Sequence, residues 1–333
     1  MTDLPPPRVP TIDEIRDAAK RINETILRTP LVRLEGTSQP EIWLKLENLQ
    51  PVNSFKIRGA MSAVTALSPE ERSQGVWTVS AGNAGQGVAY AAREAGVPAT
   101  VLAIETAPET KLERMRNLGA EVVKAPYDEC WTALENREYP GIEGAFIHPF
   151  DDHEFIAGNA SIGLEIMEDL PETEVIGAAV GGGGLSTGVG SAVNGLAQET
   201  DSSPVRVIGV EPETAAPAAL SYERGEPQKY PDWEESFVDG AGGKSLFPRM
   251  WERMRQVVDD MEVVTLDETK EAVRILAERS RVIAEGAGAL PVAAARAGKL
   301  GTEGPAVAIV SGGNIDLDTF HRVIESTEPE NEE

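Results

Sequence analysis

Lysine becomes a nucleophile only when its ammonium loses a proton, and one lysine of this chain stands where that loss is favoured. Lys56 lies in Asn53-Ser54-Phe55-Lys56-Ile57-Arg58-Gly59-Ala60, where Ser54 is a helix-capping residue and Ile57, Met61, Val64 and Leu67 share one helical face. That spacing predicts Lys56 in the first helical turn, where the positive end of the helix dipole opposes an ammonium by a few tenths to ~1 kcal/mol. The neutral amine so favoured is the form that condenses with an aldehyde. Taken alone, the octapeptide fits a solvated surface lysine at least as well.

Two glycine-rich segments suit anion binding. Ser80-Ala81-Gly82-Asn83-Ala84-Gly85-Gln86-Gly87 stands between a strand pattern and a helix pattern, where free backbone N–H groups can receive a carboxylate or phosphate. Its glycines read G-x-x-G-x-G, the reverse of the dinucleotide fingerprint, and a structural turn explains them equally well. Gly181-Gly182-Gly183-Gly184-Leu185 follows the apolar run Val175 to Val180 and opens a helix pattern, the arrangement that cradles a phosphate with backbone amides. No phasing of these glycines gives G-x-G-x-x-G, because the sixth position falls on Ser186 or Thr187. Lys244-Ser245 likewise fails the P-loop spacing, with Val238 in the first glycine's place. A flexible connection is the alternative for the tetrad.

The same stretch holds a rival motif. Gly184-Leu185-Ser186-Thr187-Gly188 matches the G-x-S-x-G nucleophile elbow, and a serine hydrolase using Ser186 would need a later acid and then a histidine. The downstream histidine is His321, near an acidic C-terminus, and no His-Gly-rich oxyanion segment is present. Ser311-Gly312-Gly313-Asn314 ends the apolar run Ala306 to Val310, so the Ser311 hydroxyl is expected at the carboxyl end of a sheet, where open α/β sheets bind ligands. On its own this is also an ordinary turn. His148, His153, His321 and Cys130 have no metal-ligand spacing, and no metal site is expected from them.

The elements that must position these residues alternate. Thr11 and Glu14 form a capping-box pair, and Ile15, Ala19, Ile22 and Ile26 recur at helical spacing, so a first helix should end before Thr29-Pro30. Strand patterns run over 42–47, 76–80, 99–104, 121–124, 145–150, 174–180, 205–210 and 306–310. Between them lie helix patterns such as 86–95, 111–118 and 267–281. This order predicts an α/β protein with open, mostly parallel twisted sheets flanked by helices. The segment Ser221 to Pro248, rich in Gly, Pro and charge, reads as a functional loop. The proline-rich start and the acidic end, Glu325 to Glu333, read as disordered.

A chain of 333 residues exceeds one ordinary core, so two domains or an insertion are expected. Its 55 acidic against 30 basic residues give a net charge of -25, which opposes binding to nucleic acid and to anionic membranes. Nine lysines against 21 arginines on so acidic a chain suggest work in concentrated salt, with an ordinary acidic protein as the alternative. The glycine tetrad interrupts the longest uncharged stretch, so no membrane span is expected. Met1 to Pro10 lacks the order of a signal peptide, which points to the cytoplasm, and a single cysteine excludes an internal disulfide framework.

Together and in this order, from Leu27-Arg28-Thr29-Pro30-Leu31 to Ser311-Gly312-Gly313-Asn314, the segments resemble the serine/threonine dehydratase and serine racemase family of pyridoxal phosphate enzymes, built on the tryptophan synthase β-subunit fold (fold type II). The resemblance implies that Lys56 carries the cofactor, Phe55 packs on its ring, Asn83 bonds the ring hydroxyl, Gly181 to Gly184 with Leu185 hold the phosphate, and Ser311 meets the ring nitrogen. It places Glu285, in Ala284-Glu285-Gly286-Ala287-Gly288, near the ring. Ser80, Ala81, Gly82, Asn83 and Ala84 become the seat of the substrate carboxylate. The implied reaction is β-elimination from a β-hydroxy amino acid, threonine or serine, giving a 2-keto acid and ammonia, with β-replacement or racemisation as alternatives. A serine at the ring nitrogen implies an unprotonated ring and prompt elimination.

Departures from the family pattern matter for specificity. Ala81 stands where racemases carry a second serine, which disfavours racemisation, and Ala84 stands where a histidine is usual, which implies a wider pocket. The racemase-type cation site maps to Glu211 and Ala215, but its aspartate position is Pro217. The resemblance implies a homodimer with a large domain over 1–75 and 151–325, a small closing domain over 76–150 and a disordered acidic tail over 326–333. It leaves no length for a C-terminal regulatory domain.

Overall fold

Short β-branched and alanine-rich runs, each followed by a helix, build the molecule. A computed structural model describes residues 4–36 and 40–325, so the acidic tail expected over 326–333 lies outside the described residues. In chain order the elements are α1 (Ile12–Ile22), β1 (Leu31–Arg33), β2 (Ile42–Leu46), α2 (Lys56–Ala66), α3 (Pro69–Ser73), β3 (Val76–Val79), α4 (Asn83–Ala95), β4 (Ala99–Ile104), α5 (Glu109–Asn117), β5 (Glu121–Ala125), α6 (Tyr127–Asn136) and β6 (Ala145–Phe146). The second half comprises α7 (His153–Asp169), β7 (Val175–Ala179), α8 (Gly184–Thr200), β8 (Arg206–Pro212), α9 (Pro217–Arg224), α10 (Pro248–Met254), β9 (Asp260–Val264), α11 (Leu266–Ser280), α12 (Gly286–Arg296), β10 (Ala306–Val310) and α13 (Leu317–Glu325).

The strands form two sheets. One has the order β1-β2-β10-β7-β8-β9, parallel except for β1, and the other has the order β5-β4-β3-β6, wholly parallel and drawn from residues 76–146. Strands β7 and β10 at the centre of the larger sheet are buried along their whole length, as an apolar run covered on both faces must be. α12 packs on this sheet with a surface of alanine and glycine, which lets helix and strand approach closely. The capping box of Thr11 and Glu14 starts α1 as the sequence predicts. Sequence patterning missed β1 and β9: the first is three residues long and the second opens on Asp260, so neither shows clean alternation. The strand expected over 145–150 stops at Phe146, because His148 to Asp151 leave the sheet in a turn.

Helix α2 is fixed by a buried ionic network. The Arg58 guanidinium donates to both oxygens of Glu47 at 2.8 Å and to both of Glu165 at 2.7 and 2.9 Å, while Lys45 donates to Glu165 at 2.6 Å. Thr29 donates to Glu47 at 2.6 Å, and Arg58, Lys45 and Glu47 are all fully buried. Charges taken out of water hold a unique arrangement only when each is paired, and here the pairing ties α2 to β2 and α7.

Candidate active site

Lys56 begins α2. The expected cap is displaced by one residue: Phe55 occupies the N-cap with helical φ and ψ, and the Ser54 hydroxyl accepts the Lys56 N–H at 3.2 Å. The Phe55 N–H donates to the Ser311 carbonyl at 3.0 Å, so the end of β10 sets where the lysine starts. The Lys56 amine donates to the Pro149 carbonyl at 2.8 Å, with the rings of Phe55 and Phe155 5.2 and 5.5 Å from it. Burial lowers this amine to about 8, opposed by the Glu285 carboxylate. Burial is therefore the main cause, rather than the helix end that the sequence suggested.

The glycine tetrad joins β7 to α8. Gly183 is the N-cap in the left-handed region, φ 84°, where a side chain is strained. A Cβ on Gly182 would run into the Phe150 ring, and one on Gly181 would lie 3.1 Å from the Gly240 carbonyl. The tetrad is thus a bare-backbone cradle at a helix N-terminus, with the Thr187 hydroxyl buried and unpartnered one turn in. Leu185 and Ser186 are buried, and the Ser186 hydroxyl donates back to the Gly183 carbonyl at 3.2 Å. His321 lies on exposed α13 beside Glu325. A buried serine bonded into its own helix is not an elbow nucleophile, and the hydrolase reading is set aside.

Asn83 opens α4 and is held at both ends of its amide. It donates to Glu285 Oε1 at 2.7 Å, and Asn314 donates to its Oδ1 at 2.8 Å. Glu285 caps α12 and its N–H donates to the Gly312 carbonyl at 3.1 Å. Burial and the nearby Asp239 raise its carboxyl to about 7, against the opposing pull of Asn83 and Lys111. Lys111 on α5 forms an ion pair with Asp239 across this edge of the site. Ser311 follows β10 and is buried. Ser80, Ala81 and Gly82 are half-buried ahead of α4, with the Gly82 N–H turned back to the Ser80 hydroxyl at 3.2 Å and Ala84 buried behind them.

Lys56, Phe55, Asn83, Glu285 and Ser311 therefore share contacts, and Pro149 and Phe150 link the lysine to the tetrad. Sequence reasoning missed that turn, because His148 reads as a structural histidine and a backbone carbonyl carries no sequence signal. It also left Gly240 unnamed, although the loop reading of 221–248 covers it. Among the described residues no three His, Cys, Asp or Glu side chains cluster as for a metal ion. Glu211, which the sequence resemblance maps to a cation site, is fully buried, accepts the Ala218 and Ala219 N–H groups, and is raised to about 8 by burial.

A depressed lysine amine, a glycine cradle and a serine at one sheet's carboxyl edge define an enzyme that holds a phosphorylated aldehyde cofactor covalently. The family model for "Pyridoxal-phosphate dependent enzyme" matches residues 22–312, and the chain belongs to that family, with pyridoxal phosphate as its cofactor. It is 42% identical to an L-threonine ammonia-lyase of Thermotoga maritima over 321 residues, 94% of this chain and 78% of that one. The structure of maize serine racemase superposes with a TM-score of 0.83 at 30% identity, covering 95% of this chain and 98% of that one. The processed form of threonine deaminase isoform 2 from Solanum lycopersicum gives 0.82 at 31% identity, with 98% of each chain covered.

Proposed function

We propose that the protein is a pyridoxal-phosphate-dependent ammonia-lyase that removes water and then ammonia from a β-hydroxy amino acid, threonine or serine first among them. The observation that carries this reading is the Lys56 amine, buried and lowered to about 8, so that a useful neutral fraction exists near pH 7. When bound, pyridoxal phosphate supplies the electron sink that makes an amino acid α-proton labile. The tetrad amides and the N-terminus of α8 would hold its phosphate, and Phe55, Asn83, Ser311 and Glu285 would hold its ring. Lys56 Nζ takes and returns the proton. The Ser80–Ala84 turn receives the substrate carboxylate.

Relatives named as threonine ammonia-lyase and threonine deaminase, similar over most of this chain, support the lyase over its alternatives. Ala81 offers no proton to the opposite face, which counts against a racemase despite the similar maize structure. The two sheets support a large domain over 1–75 and 151–325 and a small domain over 76–150 that closes on substrate. Leu49, Ile283 and Leu317 are exposed apolar side chains around a single cleft, and this supports a homodimer. No helix among the described residues is long and apolar enough to cross a membrane, and we place the enzyme in the cytoplasm, in high salt.

The test is keto-acid release from threonine, serine, 3-hydroxyaspartate and phenylserine in molar potassium chloride. Release without any added nucleophile is expected. If no substrate gives keto acid and an S-substituted amino acid forms instead when a thiol is added, the protein is a β-replacement enzyme and the lyase reading fails.

A further inference from the structure

Among the described residues the Lys56 amine has one hydrogen-bond partner, the Pro149 carbonyl, and that carbonyl belongs to a turn with no regular secondary structure around it. Two devices hold the turn. His148 Nδ1 accepts the Asp151 N–H at 2.9 Å, and the imidazole is wedged edge-on against Phe146, Phe150 and Phe247. Asp151 is then gripped by three arginines. Arg137 donates to its carbonyl at 2.8 Å and to Oδ2 at 2.7 Å, Arg249 donates to Oδ2 at 2.9 Å, and Arg253 pairs with Oδ1. Asp151, Arg253 and His148 are all buried.

We propose that Asp151 is a positioning residue for Lys56: clamped by Arg137, Arg249 and Arg253, it fixes the turn whose Pro149 carbonyl holds the catalytic amine.

The clamp draws on distant parts of the chain. Arg137 is the left-handed residue that ends α6, φ 59°, while Arg249 and Arg253 lie one turn apart on α10. Arg249 and Arg253 also donate to the Pro5 and Arg8 carbonyls at 3.0 Å, so the N-terminal segment is strapped to the same cluster. Three guanidiniums on one carboxylate leave a surplus of positive charge. It lowers His148, which burial already holds neutral, so Nδ1 stays free to accept the Asp151 N–H. Burial and Glu285, ahead of α12, act directly on the Lys56 amine, while Lys56, Arg137, Arg249 and Arg253 all bear on His148; Asp151 faces the same turn through its three arginines. A carbonyl misplaced by about 1 Å would loosen the lysine and slow a proton transfer by about 100-fold.

The proposal rests on the lyase reading only for its kinetic arm. Asp151→Asn keeps the side chain's shape and removes its charge. In the holoenzyme, kcat for keto-acid release should fall at least about tenfold with KM within about threefold. In the full chain without cofactor, acetylation of Lys56 by acetic anhydride, followed by mass spectrometry against pH, should show a midpoint about half a unit or more below the parent's. Both losses act in that direction: the arginines lose their counter-charge and the ammonium loses its acceptor. Should Asp151→Asn not fold, Asp151→Asn with Arg249→Gln preserves the charge balance; kcat should fall as before, and the acetylation midpoint should still lie below the parent's, by a smaller amount, because only the misplaced acceptor then acts on the ammonium. Either reading at the parent's value overturns the proposal. Were the parent itself to release no keto acid, the lyase reading would fail and the acetylation midpoint alone would decide this one.

Discussion

At the scale of single residues, the site works by removing water and side chains from around a few polar groups. Gly182 shows the second half of that statement. Its missing side chain is the space that the Phe150 ring fills, so Gly182→Ala must push the ring or the loop aside. Pyridoxal phosphate affinity should fall tenfold or more, a change of about 1.4 kcal/mol, read by titrating the cofactor absorbance. Glu211 shows the first half. Its folded pKa, about 8, stands above the ordinary carboxylate value, so the folded state holds the proton more tightly than the unfolded chain. Stability is therefore lost as pH rises from about 4.5 through 8, where the unfolded carboxyl ionises freely and the buried one does so against the cost of burial. Glu211→Gln keeps an acceptor for one of the Ala218 and Ala219 N–H groups and removes the ionisation. It should leave the denaturation midpoint at pH 5 little changed and stabilise the protein at pH 9 by on the order of a few kcal/mol. A midpoint lowered equally at both pH values would mean that Glu211 is needed as a carboxylate.

At the scale of elements, α2 is the part that must not drift, since it carries Lys56 at its first residue. Glu47→Gln removes the charge facing Arg58 and leaves a guanidinium fully buried with half its pairing. A loss of about 3–5 kcal/mol is expected in urea unfolding, with Lys45→Met less costly because Glu165 keeps Arg58. None of this network was legible beforehand: Glu165 lies 107 residues from Arg58 and 120 from Lys45, and all four members look like surface charges. What was legible followed from local signals. The uncharged, β-branched-rich runs at 99–104 and 306–310 became strands with those bounds, and the Gly181–Gly184 tetrad announced a strand-to-helix junction. Lys56 was found through Ser54 and the periodic Ile57, Met61 and Val64, though the cap lies one residue later than the pattern suggested. The Pro149 turn and its arginine clamp stayed hidden because a backbone acceptor and long-range guanidinium contacts obey no periodicity.

At the scale of the whole molecule, charge is the dominant fact. A net charge of -25 on 333 residues sets carboxylates against one another, and folding brings them closer than they are in the unfolded chain. Arginines answer part of this repulsion. Arg16 pairs with Glu199, Arg28 with both Glu168 and Asp169, and Arg274 with both Glu271 and Glu278, so cations are shared among acids. The exposed ones among these pairs are individually worth little, and together they cannot balance 55 acids with 30 bases. Salt acts on both terms with opposite sign: shortening the screening length from about 10 Å at 0.1 M to about 3 Å at 1 M weakens the pairs, and weakens the general repulsion as well. Repulsion sums over every pair of excess charges and reaches beyond first neighbours, so it loses more than the short-range pairs, whose partners lie within about 3 Å. The melting temperature should therefore rise steadily from dilute to molar potassium chloride, with sodium chloride giving the same curve if screening is the cause. A melting temperature that fell over that range would show that the arginine pairs, rather than the surplus of carboxylates, govern the stability of this fold.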